Sequence, residues 1–272
     1  MTSEAREASL DQGQPIKLIR FTRAAKLWTY ADADRVIVYN GDTYAKLAIG
    51  VSEIRDSSEA NKASIQITLP KDADVAANWR PFPPSDPVFV TVLTQHYGET
   101  DFLVDWIGRI IGSNFNNTTL TLTSEPSGTA ARRRGRTRVW QRSCDVPLFS
   151  QGRGMCNLIR DNFAVPAVLT AVSGLTLTAA AFGSLTDGRF QRGDIEWMRS
   201  DGLVERRSID AHSGTSIVID SAGAELAVGL AVTAYPGCGQ TFADCEYFSN
   251  TDNYGGELYM PGRDYYDGHP ID

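Results

Sequence analysis

Long apolar runs are absent from this 272-residue sequence. The longest apolar stretches, such as the one from Leu175 to Gly183, are about half the ~20 residues that a membrane-spanning helix needs. The first residues, MTSEAREASLDQGQP, contain no apolar segment of the kind found in secretory signals. We therefore expect a protein without a membrane span that is made in a cytoplasm and stays soluble.

Recognisable catalytic motifs are also lacking. The three histidines, His96, His212 and His269, are far apart in the sequence. The chain has no H-E-x-x-H, no Walker loop and no G-x-S-x-G. A thiol-peptidase pair of Cys245 and His269 would have no evident orienting partner. We therefore predict that the protein is not an enzyme.

The charge of the chain is unevenly distributed. The net charge is −7, whereas a nucleic-acid-binding domain is expected to be basic. From Asp244 to Asp272 the sequence has seven acidic residues and one basic residue, Arg263. The opposite extreme is an arginine island made of Arg132, Arg133, Arg134, Arg136 and Arg138. Sequence-specific binding of DNA is therefore not expected.

The dominant pattern is alternation of apolar and polar residues. Alternation with a period of two indicates antiparallel strands that bury one face. Such stretches lie at residues 36–38, 65–69, 88–92, 102–106, 120–122, 175–177, 195–197 and 217–219. Asn40-Gly41 follows the first of them and predicts a hairpin, because both residues tolerate a positive φ. Residues 71–80 are the clearest candidate for a short helix, although a turn before Pro81 is equally compatible with them.

These patterns predict a mostly β protein with two or more barrel-like or sandwich-like domains. We expect a flexible arm at residues 1–14, a β domain at 15–125 and an arginine-rich connector at 126–139. The C-terminal domain, residues 140–272, contains all four cysteines and a set of strands at 165–235 between the two cysteine pairs.

The four cysteines are the strongest candidates for a binding site. Cys144 and Cys156 form one pair and Cys238 and Cys245 the other, and 81 residues separate the pairs. All four lie beside turn-forming or small residues, which suggests a metal centre with four ligands. The common C-x2-C spacing of zinc and ferredoxin sites is absent. From the spacing alone, free thiols, disulfides, zinc and an iron–sulfur cluster all remain open.

Tyrosine and phenylalanine are abundant after the last cysteine. Tyrosine is enriched at contact surfaces, so these rings indicate either an interface or an aromatic local core. The rings are those of Tyr247, Phe248, Tyr254, Tyr259, Tyr265 and Tyr266.

Three longer motifs resemble one known family. They are LIRFTRAAKLWTYADADRVIVYNGDTY near the N-terminus, RRRGRTRVWQRSCDVPLFSQGRGMC in the middle and GCGQTFADCEYFSNTDNYGGELYMPGRD near the C-terminus. The last, with Phe-x-Asn and Asn-aromatic-Gly-Gly after its second cysteine, is the most specific. The chain thereby resembles the tail-hub (minor tail) proteins of long-tailed bacteriophages and gene transfer agents, and is similar in layout to the minor tail protein L of phage lambda.

This resemblance implies a structural subunit of the virion, located at the distal end of the tail. It implies hub domains and a small metal-stapled, cysteine-rich C-terminal region. Its ligands would be Cys144, Cys156, Cys238 and Cys245, holding a [4Fe–4S] cluster, with zinc as the alternative. A tail-tip enzyme, metal-dependent or cell-wall-degrading, is the alternative function.

The resemblance also implies an assembly. It predicts a homotrimeric ring in contact with the distal tail protein, the tape measure protein and a central fibre or tip protein. DNA would pass through the lumen without specific binding, and assembly would take place in the host cytoplasm. The arginine island and the acidic C-terminal stretch are candidates for opposite faces of a subunit contact, because a ring joins two different surfaces of each subunit.

Overall fold

The structure, a computed structural model, describes residues 15–54, 63–96, 101–132 and 140–260. It divides the chain into two compact units, one ending at Arg134 and the other beginning at Gly135. The predicted arm at 1–14 and most of the arginine island lie outside the described residues. None of the helices in the described ranges has the length and apolar character needed to cross a membrane.

The first unit is built on a nine-stranded sheet in its described residues. Its strands are β1 (Pro15–Arg23), β2 (Lys26–Asp32), β3 (Ile37–Tyr39), β4 (Asp42–Lys46), β5 (Gly50–Val51), β6 (Ile65–Pro70), β7 (Phe89–His96), β8 (Leu103–Phe115) and β9 (Thr119–Pro126). The sheet order is β3-β4-β2-β1-β7-β8-β9-β6-β5, and all pairs are antiparallel except β2 with β4.

The local signals of the sequence account for several of these strands. Asn40 and Gly41 have φ values of 50° and 85° and form the turn between β3 and β4, as the Asn-Gly pair predicts. In β6, Ile65, Ile67 and Leu69 are buried and the residues between them are exposed. Alternation along β6 therefore directs one face of the sheet into the core.

The candidate helix at 71–80 is a 3₁₀ helix at Asp74–Trp79. Arg23 at the end of β1 is fully buried and donates a hydrogen bond from Nη1 to Oδ1 of Asn78, 3.2 Å away. The amide of Asn78 in turn donates to the carbonyl of Val75 at 2.9 Å. These bonds satisfy buried polar groups and fix the helix on the sheet.

The second unit contains a seven-stranded antiparallel sheet in its described residues. Its strands are β10 (Val165–Val168), β11 (Ala171–Ser173), β12 (Thr176–Thr178), β13 (Asp194–Met198), β14 (Val204–Ser213), β15 (Ser216–Ile219) and β16 (Ala231–Tyr235). The order is β10-β16-β13-β14-β15-β12-β11. The core cluster of this unit includes the fully buried Phe182, Phe190 and Ile195.

The helices of the described residues are short, and the prediction of a mostly β protein is confirmed. The second unit has one α-helix in the described residues, α1 (Phe242–Tyr247). The remaining 3₁₀ helices are Ser127–Arg132, Arg160–Phe163, Ala180–Ser184 and Thr251–Asn253.

Candidate metal centre

The four cysteines lie in two segments that flank the seven-stranded sheet. We call these segments, residues 140–164 and 236–260, the cysteine region. Cys144 and Cys156 lie in a stretch without strand, Cys238 follows β16, and Cys245 lies in α1. Three of the thiols belong to buried residues and Cys238 is half-buried. One cysteine pair thus precedes the first strand of the sheet, and the other follows the last strand.

The turn between Cys144 and Cys156 is held by its own polar groups. Asn157 donates its backbone N–H to the carbonyl of Ser150 at 2.7 Å, and its side-chain oxygen accepts from the N–H of Gly152 at 2.9 Å. Gly152 and Asn157 have φ values of 124° and 58°. Glycine adopts such backbone angles without steric cost, and asparagine tolerates them better than most residues. The turn thus closes without a strand or helix.

The helix that carries Cys245 is capped on its N-terminal side. Oγ1 of Thr241 accepts a hydrogen bond from the N–H of Asp244 at 3.2 Å, as an N-cap residue does. The Asp244 carboxylate accepts from the N–H of Gly239 at 3.0 Å and from Arg189 at 2.8 Å. Burial raises the pKa of Asp244, but hydrogen bonds from Thr241 and Arg189 outweigh burial and hold it below its ordinary value. Asp244 therefore fixes the loop between Cys238 and Cys245.

Direct bonds join the two cysteine pairs. The N–H of Cys144 donates to the carbonyl of Gln240, 2.8 Å away. The amide nitrogen of Asn250 donates to the carbonyl of Cys156 at 2.7 Å, and the backbone N–H of Asn250 donates to the carbonyl of Cys245 at 2.9 Å. The pairs are far apart in sequence and in contact in the fold.

Nitrogen donors lie near three of the four sulfur atoms. Sγ of Cys144 accepts from the N–H groups of Val146 and Gly255, at 3.4 and 3.3 Å. The N–H of Gln240 donates to Sγ of Cys238 at 3.3 Å, and the amide of Asn250 lies 3.4 Å from Sγ of Cys156. Hydrogen bonds to sulfur favour the charged thiolate, which is the metal-binding form.

The thiols also influence one another electrostatically. The pKa of Cys245 is raised to about 11, mainly by burial and also by the charges of the other three cysteine side chains. Burial likewise raises the pKa of Cys238. Across the described residues, no group of three or more His, Cys, Asp or Glu side chains has an arrangement that could hold a metal ion. The structure shows four interacting thiols and does not show a formed ligand set.

The Gly-Gly motif allows the chain to pass close to Cys144. A Cβ atom on Gly255 would lie 2.5 Å from Cγ2 of Val146 and 3.2 Å from Sγ of Cys144. On Gly256 it would lie 2.3 Å from the carbonyl oxygen of Arg142. Contacts this short exclude a side chain, so the two glycines let residues 254–256 lie against the first cysteine.

The aromatic residues after Cys245 divide between core and surface. Phe248 is buried and packs edge-to-face on Phe163, with ring centroids 5.2 Å apart. Tyr254 packs on Phe242 at 5.3 Å. Tyr259, in contrast, is 96% exposed. Tyr265 and Tyr266 lie outside the described residues.

The described histidines are not brought together at this centre. His96 is buried at the end of β7 in the first unit. His212 is buried in β14, where Nε2 is 3.1 Å from the carbonyl of Phe182. His269 and the acidic residues beyond Met260 lie outside the described residues. Asn250 and Arg189 were not among the predicted site residues, although Asn250 belongs to the quoted Phe-x-Asn motif.

Residues 188–264 match the family model described as phage conserved hypothetical protein BR0599. This match covers less than half of the chain and includes Cys238, Cys245 and Asn250. The chain is also 34% identical, over 170 residues, to an uncharacterized protein of Xylella fastidiosa (strain 9a5c). That alignment covers 58% of the chain and 35% of the relative, so the chain matches about a third of the relative's length.

One solved structure matches along nearly the whole chain. The fold resembles that of a chain in the virion of the native gene transfer agent (GTA) particle, with a TM-score of 0.77 and 18% sequence identity. The superposition covers 98% of this chain and 95% of that chain. The two chains share a fold. The layout similarity to the minor tail protein L of phage lambda stays a prediction.

Proposed function

We propose that this protein is a structural subunit of the tail hub or tail tip of a long-tailed bacteriophage or phage-like particle. The observation that carries the proposal is the likeness of fold to a gene transfer agent virion chain, which covers 98% of this chain. The match of residues 188–264 to a phage family supports it independently. In this role the subunit joins the ring of distal tail proteins to the central fibre or tip and performs no catalysis.

The subunit is proposed to form a homotrimeric ring in contact with the tape measure protein. DNA passes through such a ring, and a lumen that gripped phosphates would slow it. A net charge of −7 is compatible with free passage. The arginine island is therefore assigned to contacts between subunits or to the outer surface.

Two experiments test this assembly. Native mass spectrometry of the purified chain should give a trimer, and a monomer at assembly concentrations would contradict the ring. Reversal of Arg132, Arg133 and Arg134 to Glu should block completion of tails, as judged by electron microscopy of particles. Normal particles from that variant would show that the arginine island does not lie at a contact between subunits.

The four cysteines are proposed to hold a [4Fe–4S] cluster, with zinc as the alternative. The donor set fits, because thiolates are the preferred ligands of both, and nitrogen donors lie near the sulfur atoms of Cys144, Cys156 and Cys238. A bound group would cross-link segments that lie 81 residues apart. The chain's own contribution is to hold the thiols together through Gln240 and Asn250.

Anaerobic purification distinguishes the metals. A [4Fe–4S] protein should be brown and should contain about four irons and four labile sulfides per chain, as four-cysteine cubane sites do. Stoichiometric zinc without iron would overturn the iron–sulfur assignment and leave the proposal of a virion subunit intact.

A further inference from the structure

Asn250 has a network of contacts that its position on a short loop would not suggest. It is 8% exposed, and its side-chain nitrogen lies 2.7 Å from the carbonyl oxygen of Cys156 and 3.4 Å from Sγ of the same residue. Its backbone N–H donates to the carbonyl of Cys245 at 2.9 Å. One residue therefore contacts a member of each cysteine pair.

The orientation of this side chain is determined by its partners. Oδ1 of Asn250 accepts from the amide nitrogen of Asn253 at 2.7 Å, and Oδ1 of Asn253 accepts from the amide of Asn157 at 3.3 Å. The carbonyl of Cys156 can only accept, so the atom of Asn250 that faces it must be the N–H donor. A reversed amide would set two oxygens against each other at Cys156. The three asparagines thus form a chain of amides that ends at Cys156.

We infer that Asn250 is a positioning residue that holds the Cys156 thiol beside Cys245 and donates an N–H to the Cys156 sulfur. This inference depends on the proposed metal centre. An amide has no charge and loses no proton near neutral pH, so it supplies a fixed donor to a thiolate. Partners of this kind orient metal ligands, and their substitution costs about 10–100-fold in metal affinity. Asn253 and Asn157 keep the donor aimed.

The first test measures binding of Co²⁺ by the full metal-free chain under anaerobic conditions, followed by the visible absorption of the thiolate complex. Asn250→Asp keeps the shape of the side chain and removes the donor, whereas Asn250→Ala removes the donor without adding charge. Both should weaken binding by about 10–100-fold. Asn162→Asp is the matched control, because Asn162 is exposed in the same unit and undergoes the same change of charge; its affinity should equal that of the wild type.

The second test uses the reduction potential of the iron-loaded chain. Hydrogen bonds to sulfur and net charge both set this potential. Loss of a donor should lower it, and an added negative charge should lower it further. The expected order is wild type and Asn162→Asp highest, then Asn250→Ala, then Asn250→Asp. A purely structural role of Asn250 predicts no such order.

The outcomes separate this inference from the proposed metal centre. If the wild type takes up neither Co²⁺ nor iron, the metal centre itself is wrong. If the wild type binds metal and the Asn250 variants match it in affinity and potential, the positioning role is wrong. Unfolding of the whole metal-free chain by both Asn250 variants would also overturn it, because the contacts of Asn250 lie in the cysteine region.

Discussion

The seven-stranded sheet and the cysteine region belong to the same unit but are built from different interactions. The core packed on the sheet contains fully buried side chains that include Phe182, Phe190 and Ile195. The buried apolar cluster of the cysteine region consists of Cys144, Val146 and Cys156, with partly buried residues packed around it. Burial of apolar surface therefore stabilises the sheet far more than the cysteine region.

The cysteine region relies instead on polar links and tight turns. Gln240 and Asn250 bond the two segments to each other, and Gly255 lies where a side chain does not fit. A hydrogen bond contributes about 1 kcal/mol net to stability, so a few such bonds do not replace a core. Ligation of the proposed cluster would add to the stability of this region, since metal binding contributes directly to folding in small metal domains.

The largest expected effect comes from Cys245→Ser. Loss of one of the four proposed ligands should abolish the visible absorption and the iron of the proposed cluster, because ligation of structural metals is worth about 10 kcal/mol or more. Limited proteolysis with mass mapping should then show new cleavage in the cysteine region, while the two sheets stay intact. Retention of iron, or equal cleavage throughout both sheets, would contradict the claim that ligation stabilises the cysteine region separately from the sheet.

Phe182→Ala tests whether burial of apolar side chains stabilises the seven-stranded sheet. Phe182 is fully buried and packs edge-to-face on Phe190 with centroids 5.8 Å apart. Its truncation should cost about 3–5 kcal/mol of the free energy of unfolding, measured by urea denaturation. Iron per folded chain should not change. Val228→Ala, at a side chain that is 65% exposed, is the control and should cost less than about 0.5 kcal/mol. Loss of iron before the sheet unfolds would show that the sheet core supports the thiols directly.

Gly237→Ala changes the junction between the two regions. An added Cβ would lie 1.9 Å from the carbonyl oxygen of Gln191 and 2.5 Å from the nitrogen of Gly193. Relief of this clash should cost about 1–3 kcal/mol and speed the reaction of Cys238 with a thiol reagent. Gly50→Ala is the control, because its Cβ would meet no atom within 4 Å. Equal melting temperatures for the two variants would contradict the close packing at the junction.

Local patterns predicted the sheets better than they predicted the site. The Asn40-Gly41 hairpin and the alternation in β6 depend on neighbours along the chain, and both are confirmed. β1 was not found by alternation, because its adjacent residues Leu18 and Ile19 are both buried. A period-two pattern does not describe such a strand.

Sequence spacing could not establish that the cysteine pairs meet. The pairs lie 81 residues apart, and the intervening sheet determines where each segment lies. The turn-forming neighbours of the four cysteines suggested a four-ligand centre, and the resemblance to a family favoured an iron–sulfur cluster over the alternatives. The contact of Asn250 was not predicted, because its partner Cys156 lies 94 positions earlier. An asparagine that binds a distant backbone carbonyl leaves no local signal.

The smallest expected effect concerns Tyr235, on the last strand before Cys238, and it tests how one buried hydroxyl of the sheet contributes to stability at high pH. Burial, then the hydrogen bond that its hydroxyl donates to Glu196 at 2.9 Å, raises the pKa of Tyr235 from 10.0 to about 12. A raised pKa contributes stability that is present below pH 10 and is lost as the pH rises from about 10 to about 12.

Tyr235→Phe removes this hydrogen bond, so it should cost about 1 kcal/mol at neutral pH. The variant should also lose less stability than the wild type between pH 10 and 12. Thermal unfolding followed by circular dichroism between pH 7 and 12 measures both, and Tyr259→Phe, at a 96% exposed ring, should match the wild type. Parallel curves for Tyr235→Phe and the wild type would mean that the loss of stability at high pH comes from groups other than this tyrosine.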